Sequence, residues 1–418
     1  MRLVHSFSPF EEICVLSGAD GAPVTVTVWR QNDPAVGSIC LARVVKSAAA
    51  GVFVDIGDSR TAFLNRTPFF IKPDGSVSPT KPAEGDLLLV ELCRPAAEDK
   101  DPEVRAHVSL SAETVVLLPA QQGNSYARSF SSQTINRFRE LFPDMSVMFR
   151  TAAPFDTVEN ISKQITALKN RWAEILKNVP EKPQTIWRPE RDVLRLAARY
   201  ADDLDEIVTD DPETAAVLKE RGFADVAFAV SGVWERENVA ESLDAALAQK
   251  SPLPCGGFLI TQQTAACVCF DVNTGAADAF AANQEACPEI LRQIRLKGLG
   301  GQMIIDFAGR KDKKMLFNLM SRLKSDDVYV AGFSQLGLVE LTVEKKRKSV
   351  FDDLTDNRQT ADIIRTLWFS TPVSDVEIRA PQSVLNGVRP YLNRLETRLK
   401  TRIALIPAET AGLKGLKQ

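Results

Sequence analysis

The chain has 418 residues, with 51 Lys and Arg against 54 Asp and Glu, a formal net charge of -3 and 44% hydrophobic residues. That composition fits a folded globular chain of roughly three domains at ~150 residues each. It excludes a mainly disordered chain, a collagen-like repeat and a small disulfide scaffold. Taken alone, the acidic balance also argues against a polyanionic ligand, which proteins usually meet with a basic excess.

In chain order, the alternating run Val24-Thr25-Val26-Thr27-Val28 predicts a strand. Short β-rich runs follow at Ser38 to Val45, Gly51 to Ile56, Ala62 to Leu64, Leu87 to Leu92 and Val104 to Leu110, punctuated by Gly, Pro and Asp. Many short strands at such spacing predict a small barrel. Near residue 150 the texture turns helical. Ile161, Ile165, Leu168, Trp172, Ile175 and Leu176 give Val158 to Leu176 a helical period, ended by Pro180 and Pro183. A helix at Arg191 to Tyr200, a strand at Glu206-Ile207-Val208, a helix at Pro212 to Arg221 and a strand at Val226 to Val230 predict an α/β subdomain.

A second α/β unit begins with a helix at Val239 to Gln249. Gly256-Gly257, strands Phe258 to Thr261 and Ala265 to Val272, and a helix at Ala281 to Leu299 come next. After Gly300-Gly301 come strand Gln302 to Phe307, helix Lys314 to Leu323 and strand Val328 to Ala331. A helix at Ser383 to Arg402 and a short strand at Ile403 to Ile406 are the last predicted elements.

No run approaches ~18 consecutive apolar residues, so no membrane helix is expected. Met1 to Phe10 lacks the apolar run of a signal peptide. The seven cysteines, Cys14, Cys40, Cys93, Cys255, Cys267, Cys269 and Cys287, contain no CxxC pair. They read as buried, reduced thiols of a cytoplasmic protein rather than metal ligands or disulfides. Neither His5 nor His107 sits in a nucleophile motif, and there is no phosphate-binding glycine signature.

Two acidic residues stand where apolar runs stop: Asp271 in Phe270-Asp271-Val272-Asn273-Thr274-Gly275, and Asp306 in Met303-Ile304-Ile305-Asp306-Phe307. Ligands of open α/β sheets collect at the carboxyl ends of strands, so two carboxylates there can share a hard cation such as Mg²⁺. Asn273 falls on the same side of its strand as Asp271. Each Asp alone also reads as a cap of a following turn or helix. Between Arg292 and Lys348 there are 13 Lys and Arg against 6 Asp and Glu, a local excess of 7. That stretch reads either as solvated surface or as polyanion-binding surface flanking Asp306. Phe53 and Phe63 on the barrel read either as core or as exposed aromatics that stack single-stranded bases.

Together these residues resemble the ribonuclease E/G family of bacterial endoribonucleases, from about residue 1 to 410. Gly37-Ser38-Ile39 and Gly51-Val52-Phe53-Val54-Asp55-Ile56-Gly57 resemble its S1 (OB-type) RNA-binding barrel. Met148-Phe149-Arg150-Thr151-Ala152-Ala153 resembles its 5′-monophosphate motif. Asp271-Val272-Asn273-Thr274-Gly275, Asn283-Gln284-Glu285-Ala286, Gln293 to Gly301 and Ile304-Ile305-Asp306-Phe307 resemble its catalytic signature.

The resemblance implies an α/β (α+β multi-domain) fold with an embedded S1/OB β-barrel, an RNase H-like and DNase I-like catalytic body and a small C-terminal α/β domain. The implied boundaries are 1–36 for N-terminal strands of the RNase H-like part, 37–118 for the barrel and 119–240 for the RNase H-like and 5′-sensing region. The DNase I-like catalytic domain then takes 241–350, a linker 351–371 and the small domain 372–418. The implied activity is Mg²⁺-dependent endonucleolytic cleavage of single-stranded RNA, including 5′-monophosphorylated RNA, in RNA processing or decay, leaving a 3′-hydroxyl and a 5′-phosphate. Asp271 and Asp306 would hold the metal, and Asn273 would orient the phosphate or attacking water. Arg150 and Thr151 would grip a terminal phosphate, with Arg128 as a further phosphate contact. Phe53, Phe63 and Lys100 match the positions that clamp RNA on the barrel.

The chain also departs from that pattern. The zinc-sharing CPxCxGxG motif, expected between about Ser349 and Thr371, is absent, so zinc is not expected and a homodimer would form without a zinc bridge. Only 306 − 271 = 35 positions separate the two aspartates, fewer than is usual, and Ala276-Ala277-Asp278-Ala279-Phe280 replaces a polar, Gly-rich loop. Ser334-Gln335-Leu336-Gly337 replaces S-R-F-G, and Ala265 stands where a Glu is usual. These losses support an alternative expectation, a divergent RNA-binding member with weak or no nuclease activity.

Overall fold

The computed structural model describes residues 1–30, 35–57, 61–96, 101–229, 232–310, 312–325, 327–345, 347–355 and 358–416. The fold is mixed α/β, with a closed five-stranded barrel and several further sheets. It divides into two units, Met1–Asp33 with Glu190–Gln418, and Pro34–Pro189. Among the described residues no helix is long and apolar enough to cross a membrane.

In the Pro34–Pro189 unit, strands Ile39–Ala48, Gly51–Asp55, Thr61–Asn65, Glu103–Arg105 and Leu87–Arg94 pair in that order, and the last pairs back onto the first. The period of two turns Val52, Val54, Ala62 and Leu64 into the barrel core. The run expected as one strand, Val104 to Leu110, is split between two sheets. Buried Glu91 enforces the break by accepting from Arg105 Nη2 at 2.6 Å and from the Ser109 backbone N–H at 2.7 Å. Beyond it, a four-stranded sheet (Leu110–Ser111, Val115–Leu117, Val147–Phe149, Ser125–Tyr126) packs with helices Ser132–Leu141 and Val158–Lys177. Phe138, Phe142 and Phe149 hold that core, with centroids 5.0 Å apart for Phe138–Phe149 and 5.2 Å for Phe142–Phe149. Residues 119–189 therefore group with the barrel.

In the other unit, the N-terminal strands Arg2–Phe7, Glu11–Ser17 and Pro23–Arg30 form one sheet with Glu206–Thr209 and Val226–Phe228. A second sheet has the order Lys250–Pro252, Phe258–Gln263, Val268–Asn273, Gly301–Asp306, Val339–Val343, Val328–Phe333. Only its central pair, Val268–Asn273 beside Gly301–Asp306, runs parallel. A parallel pair needs a crossover, here the helix Ala279–Lys297, which covers one sheet face together with Lys313–Arg322. Val330 of that sheet is followed by a register shift, and the strand continues to Phe333, beyond the expected end at Ala331.

The segment 351–371, expected to be a linker, is largely helical, with helices Val350–Thr355 and Arg358–Phe369. Ile363, Ile364 and Leu367 are buried in the same core as Val376 and Ile378. The helix expected over Ser383 to Arg402 is two helices, Gln382–Val388 and Leu392–Leu399, separated by a 3-10 turn at Arg389–Tyr391. Pro390 lacks the N–H that would bond four residues back, so the α-helix stops there. The segments pack on a three-stranded sheet, Ile403–Pro407, Pro372–Ala380 and Gly412–Leu416.

Candidate active site

Along Val268–Asn273 the residues alternate. Val268, Phe270 and Val272 enter the core, and Cys269, Asp271 and Asn273 face the other way. Along Gly301–Asp306, Met303 and Ile305 are buried while Asp306 is exposed. The parallel register sets Asp271 opposite Asp306, so both carboxylates leave the same face of the sheet on strands ~4.8 Å apart. Asn273 Nδ2 donates to Asp271 Oδ2 at 2.8 Å.

Two carboxylates and an amide, side by side and open to solvent, are hard oxygen donors suited to a Mg²⁺ ion that keeps several of its waters. Among the described residues no group of three or more His, Cys, Asp or Glu gathers to hold a metal.

The turns beneath these residues are tightly built. Gly256 has φ +91°, and a Cβ on Gly257 would lie 2.6 Å from the Asn273 carbonyl oxygen. Gly275 has φ +57°, and a Cβ there would lie 2.5 Å from the Gly256 carbonyl oxygen. Glycine is required because the two backbones touch. The helix Ala279–Lys297 braces both strand ends. Asp278 caps it by accepting from Phe280 N–H at 2.9 Å and Ala281 N–H at 3.0 Å. Asn283, 1% exposed, donates from Nδ2 to the Ala308 carbonyl at 2.9 Å and accepts at Oδ1 from the Ala308 N–H at 2.9 Å. Glu285 Oε2 accepts from the Cys255 N–H at 2.7 Å. The motif Asn283-Gln284-Glu285-Ala286 was visible in the sequence, but contacts 25 and 30 residues away were not.

The rim holds Phe280, 72% exposed at the start of the helix, and exposed Arg310, Lys313 and Lys314 after Asp306. The rest of the basic stretch is largely committed elsewhere. Lys297 is buried, with Nζ donating to the Ala246 and Ala248 carbonyls at 2.7 and 2.6 Å, and burial draws its pKa down to about 8. Arg347 donates to the Val26 carbonyl at 2.6 Å, Arg292 pairs with Glu289 and Lys345 with Asp352. Lys311 and Lys346 lie outside the described residues. Gln335 is exposed in the turn before Val339–Val343.

In the other unit, Phe53 and Phe63 are register partners, with ring centroids 5.2 Å apart. Both are half-buried on the outside of the barrel, while their strand neighbours fill its core. Lys100 lies outside the described residues. Arg128 and Arg150 are brought near each other by the parallel pairing of Ser125–Tyr126 with Val147–Phe149. Arg150 Nη1 donates to the Ala112 carbonyl at 3.1 Å, and Ser129 Oγ donates to Thr151 Oγ1 at 3.4 Å. Arg128, Arg150 and Thr151 are exposed. No disulfide is seen among the described residues; Cys14, Cys40 and Cys287 are buried, and the other four cysteines are half-buried rather than buried as expected.

The sequence profile of the Ribonuclease E/G family matches residues 109–347. That span holds Arg128, Arg150, Thr151, Asp271, Asn273 and Asp306, and stops short of Phe53 and Phe63. Ribonuclease G of Salmonella typhimurium is 27% identical over 362 residues, covering 75% of this chain and 74% of that protein. Ribonuclease G of Haemophilus influenzae is 26% identical over 374 residues, covering 78% of this chain and 75% of that protein. Ribonuclease E of Nostoc sp. is 26% identical over 359 residues, covering 76% of this chain and 52% of that protein, so the chain spans about half of that relative's length.

Proposed function

The chain belongs to the ribonuclease E/G family, and from that premise we propose that it is an endoribonuclease cutting single-stranded RNA at Asp271 and Asp306. The observation that carries this reading is the register that sets these two carboxylates side by side at strand ends, within the stretch the family profile matches.

Asp271 and Asp306 would hold a Mg²⁺ ion. Such an ion, when bound, makes water more acidic and offsets charge on a phosphate. Asn273 fixes the rotamer of Asp271 through its 2.8 Å bond and keeps an amide oxygen and a second N–H for the scissile phosphate or the attacking water. The products would be a 3′-hydroxyl and a 5′-phosphate. Phe53 and Phe63 supply a stacking surface on a barrel of S1 (OB) type. Arg128, Arg150 and Thr151 supply a guanidinium pair and a hydroxyl suited to a 5′-monophosphate. Cysteines without a CxxC pair or a disulfide among the described residues suit a reducing cytoplasm. A homodimer, if formed, would do without the zinc bridge.

The exposed Gln335, in place of a basic residue, favours a second reading, an RNA-binding member with weak cleavage. One assay separates the two. A 5′-monophosphorylated, AU-rich oligonucleotide is incubated with Mg²⁺ and the parent, Asp271→Asn or Asp306→Asn. The endonuclease reading expects cleavage that falls about 10²–10⁴-fold in each variant, or about 3–5 kcal/mol of barrier. Equal rates for parent and both variants would reject the site, and RNA binding without product would favour the second reading.

A further inference from the structure

We propose that Asn283 and Glu285 are positioning residues which set the separation of Asp271 and Asp306, an inference that rests on the endonuclease reading above. Asp306 is the last residue of its strand, and the chain turns away at Phe307-Ala308-Gly309. An unanchored exit would let the carboxylate swing. Asn283 prevents this by bonding both the N–H and the carbonyl of Ala308, two residues beyond Asp306. A buried amide that donates to the carbonyl and accepts from the N–H of one residue holds the two successive peptide groups that flank Ala308 Cα. The packing adds to this, because a Cβ on Gly309 would lie 2.8 Å from Ala279 Cβ on the same helix.

Glu285 acts on the other strand. Its carboxylate accepts from Cys255 N–H at the turn that carries Gly256 and Gly257. That turn lies against the facing strand end: a Cβ on Gly257 would lie 2.6 Å from the Asn273 carbonyl oxygen, and one on Gly275 2.5 Å from the Gly256 carbonyl oxygen. It therefore sets the height of the strand end bearing Asp271 and Asn273. Asn283 and Glu285 are two residues apart on one rigid helix, so the two carboxylates are referred to a common frame. Partners of this kind are worth about 10–100-fold in metal affinity or activity.

The test uses the full chain with Asn283→Leu, Asn283→Asp, Glu285→Leu and Glu285→Gln. Leu keeps approximate size and removes the bonds. Asp keeps the acceptor for Ala308 N–H and loses the donor, and Gln keeps an acceptor for Cys255 N–H. Mn²⁺ binding is measured without RNA by electron paramagnetic resonance. Cleavage is measured against Mg²⁺ concentration, and RNA affinity by fluorescence anisotropy without metal. The expected result for Asn283→Leu and Glu285→Leu is Mn²⁺ binding weakened about 10-fold or more. Half-saturating Mg²⁺ rises to match, and RNA affinity stays unchanged. Glu285→Gln should restore near-parental values.

Parental Mn²⁺ binding and Mg²⁺ dependence in Asn283→Leu would overturn the proposal, as would equal defects in Glu285→Leu and Glu285→Gln. If Asn283→Leu does not fold, Asn283→Asp decides by the same readouts. The Mn²⁺ titration needs no turnover, so it judges this inference even if Asp271→Asn and Asp306→Asn show the endonuclease reading to be wrong.

Discussion

Asp271 and Asp306 are register partners on adjacent parallel strands, 35 residues apart in sequence and opposite each other in the sheet. The pair is the only carboxylate couple delivered by the one parallel step in an otherwise antiparallel sheet, so its spacing is a property of the backbone rather than of a flexible loop.

The two turns against Asn273 leave no room for a methyl group. Gly257→Ala would place Cβ 2.6 Å from a backbone carbonyl oxygen, which cannot rotate away. Overpacking of this kind costs about 1–3 kcal/mol, and here the strain falls on the strand end that carries Asn273 and Asp271. Cleavage by Gly257→Ala should fall at least about 10-fold at saturating RNA, with RNA affinity unchanged. Steady-state kinetics with separate kcat and KM checks this.

Phe53 and Phe63 present an aromatic pair on the barrel exterior. Stacking is worth about 1–3 kcal/mol per base, so Phe53→Ala or Phe63→Ala should weaken binding of a single-stranded oligonucleotide about 5–150-fold. Duplex RNA should show little change. Fluorescence anisotropy at one fixed salt concentration reads both, and equal losses on single and double strands would count against stacking.

Arg150 is exposed, with Nη1 on the Ala112 carbonyl, and Arg128 and Thr151 are exposed as well. Charge-assisted hydrogen bonds contribute about 1.5–3 kcal/mol. Arg150→Ala should therefore erase a preference of about 10–100-fold for a 5′-monophosphate over a 5′-hydroxyl. The rate on the 5′-hydroxyl substrate should stay as it was. The ratio of kcat/KM on the two oligonucleotides is the measurement.

Burial raises the Asp210 carboxyl from 3.8 to about 6, against the lowering effect of the Phe7 N–H bond at 2.7 Å and the Ser6 hydroxyl bond at 2.9 Å. Between about pH 4 and 6 the folded chain keeps a proton that the unfolded chain has lost. Stability from this group is thus fully present below pH ~4 and is lost as pH rises through 6, by about 2–3 kcal/mol. Asp210→Asn removes that loss. Urea midpoints should show the variant gaining over the parent at pH 7.5, and gaining little at pH ~3.5, below the unfolded value.

Much of the candidate site was legible because the pattern that marks it is local. An apolar run that ends in Asp and then meets Gly announces a strand end, and Asp271 and Asp306 both carry that mark. The sheet around them was less so. Val339–Val343 alternates cleanly between buried and exposed, yet it is five residues long and abuts Lys345 to Lys348, whose charge dominates a reading by composition. Leu385, Val388, Leu395 and Leu399 keep a helical period across Pro390, so periodicity alone joins two helices that the proline separates. The excess of 7 positive charges from Arg292 to Lys348 suggested an extended surface. In the fold, Lys297 and Arg347 spend their charge on carbonyl oxygens, because burial can satisfy a cation with backbone as well as with phosphate. The brace at Asn283 depends on a peptide 25 residues away, and no local pattern encodes that.

The parallel pairing of Arg2–Phe7 with Glu206–Thr209 also bears on how the molecule is made. His5 meets Thr209, 204 positions further along the chain. At ~5–20 residues per second, the ribosome takes about 10–40 s to deliver that partner strand. In that interval all of Pro34–Pro189 emerges, and its barrel draws every strand from within itself. The inserted unit can therefore fold during translation before Glu206–Thr209 is available to pair with Arg2–Phe7. The sheet that holds Arg2–Phe7 is thus completed only after Glu206–Thr209 and Val226–Phe228 have been made.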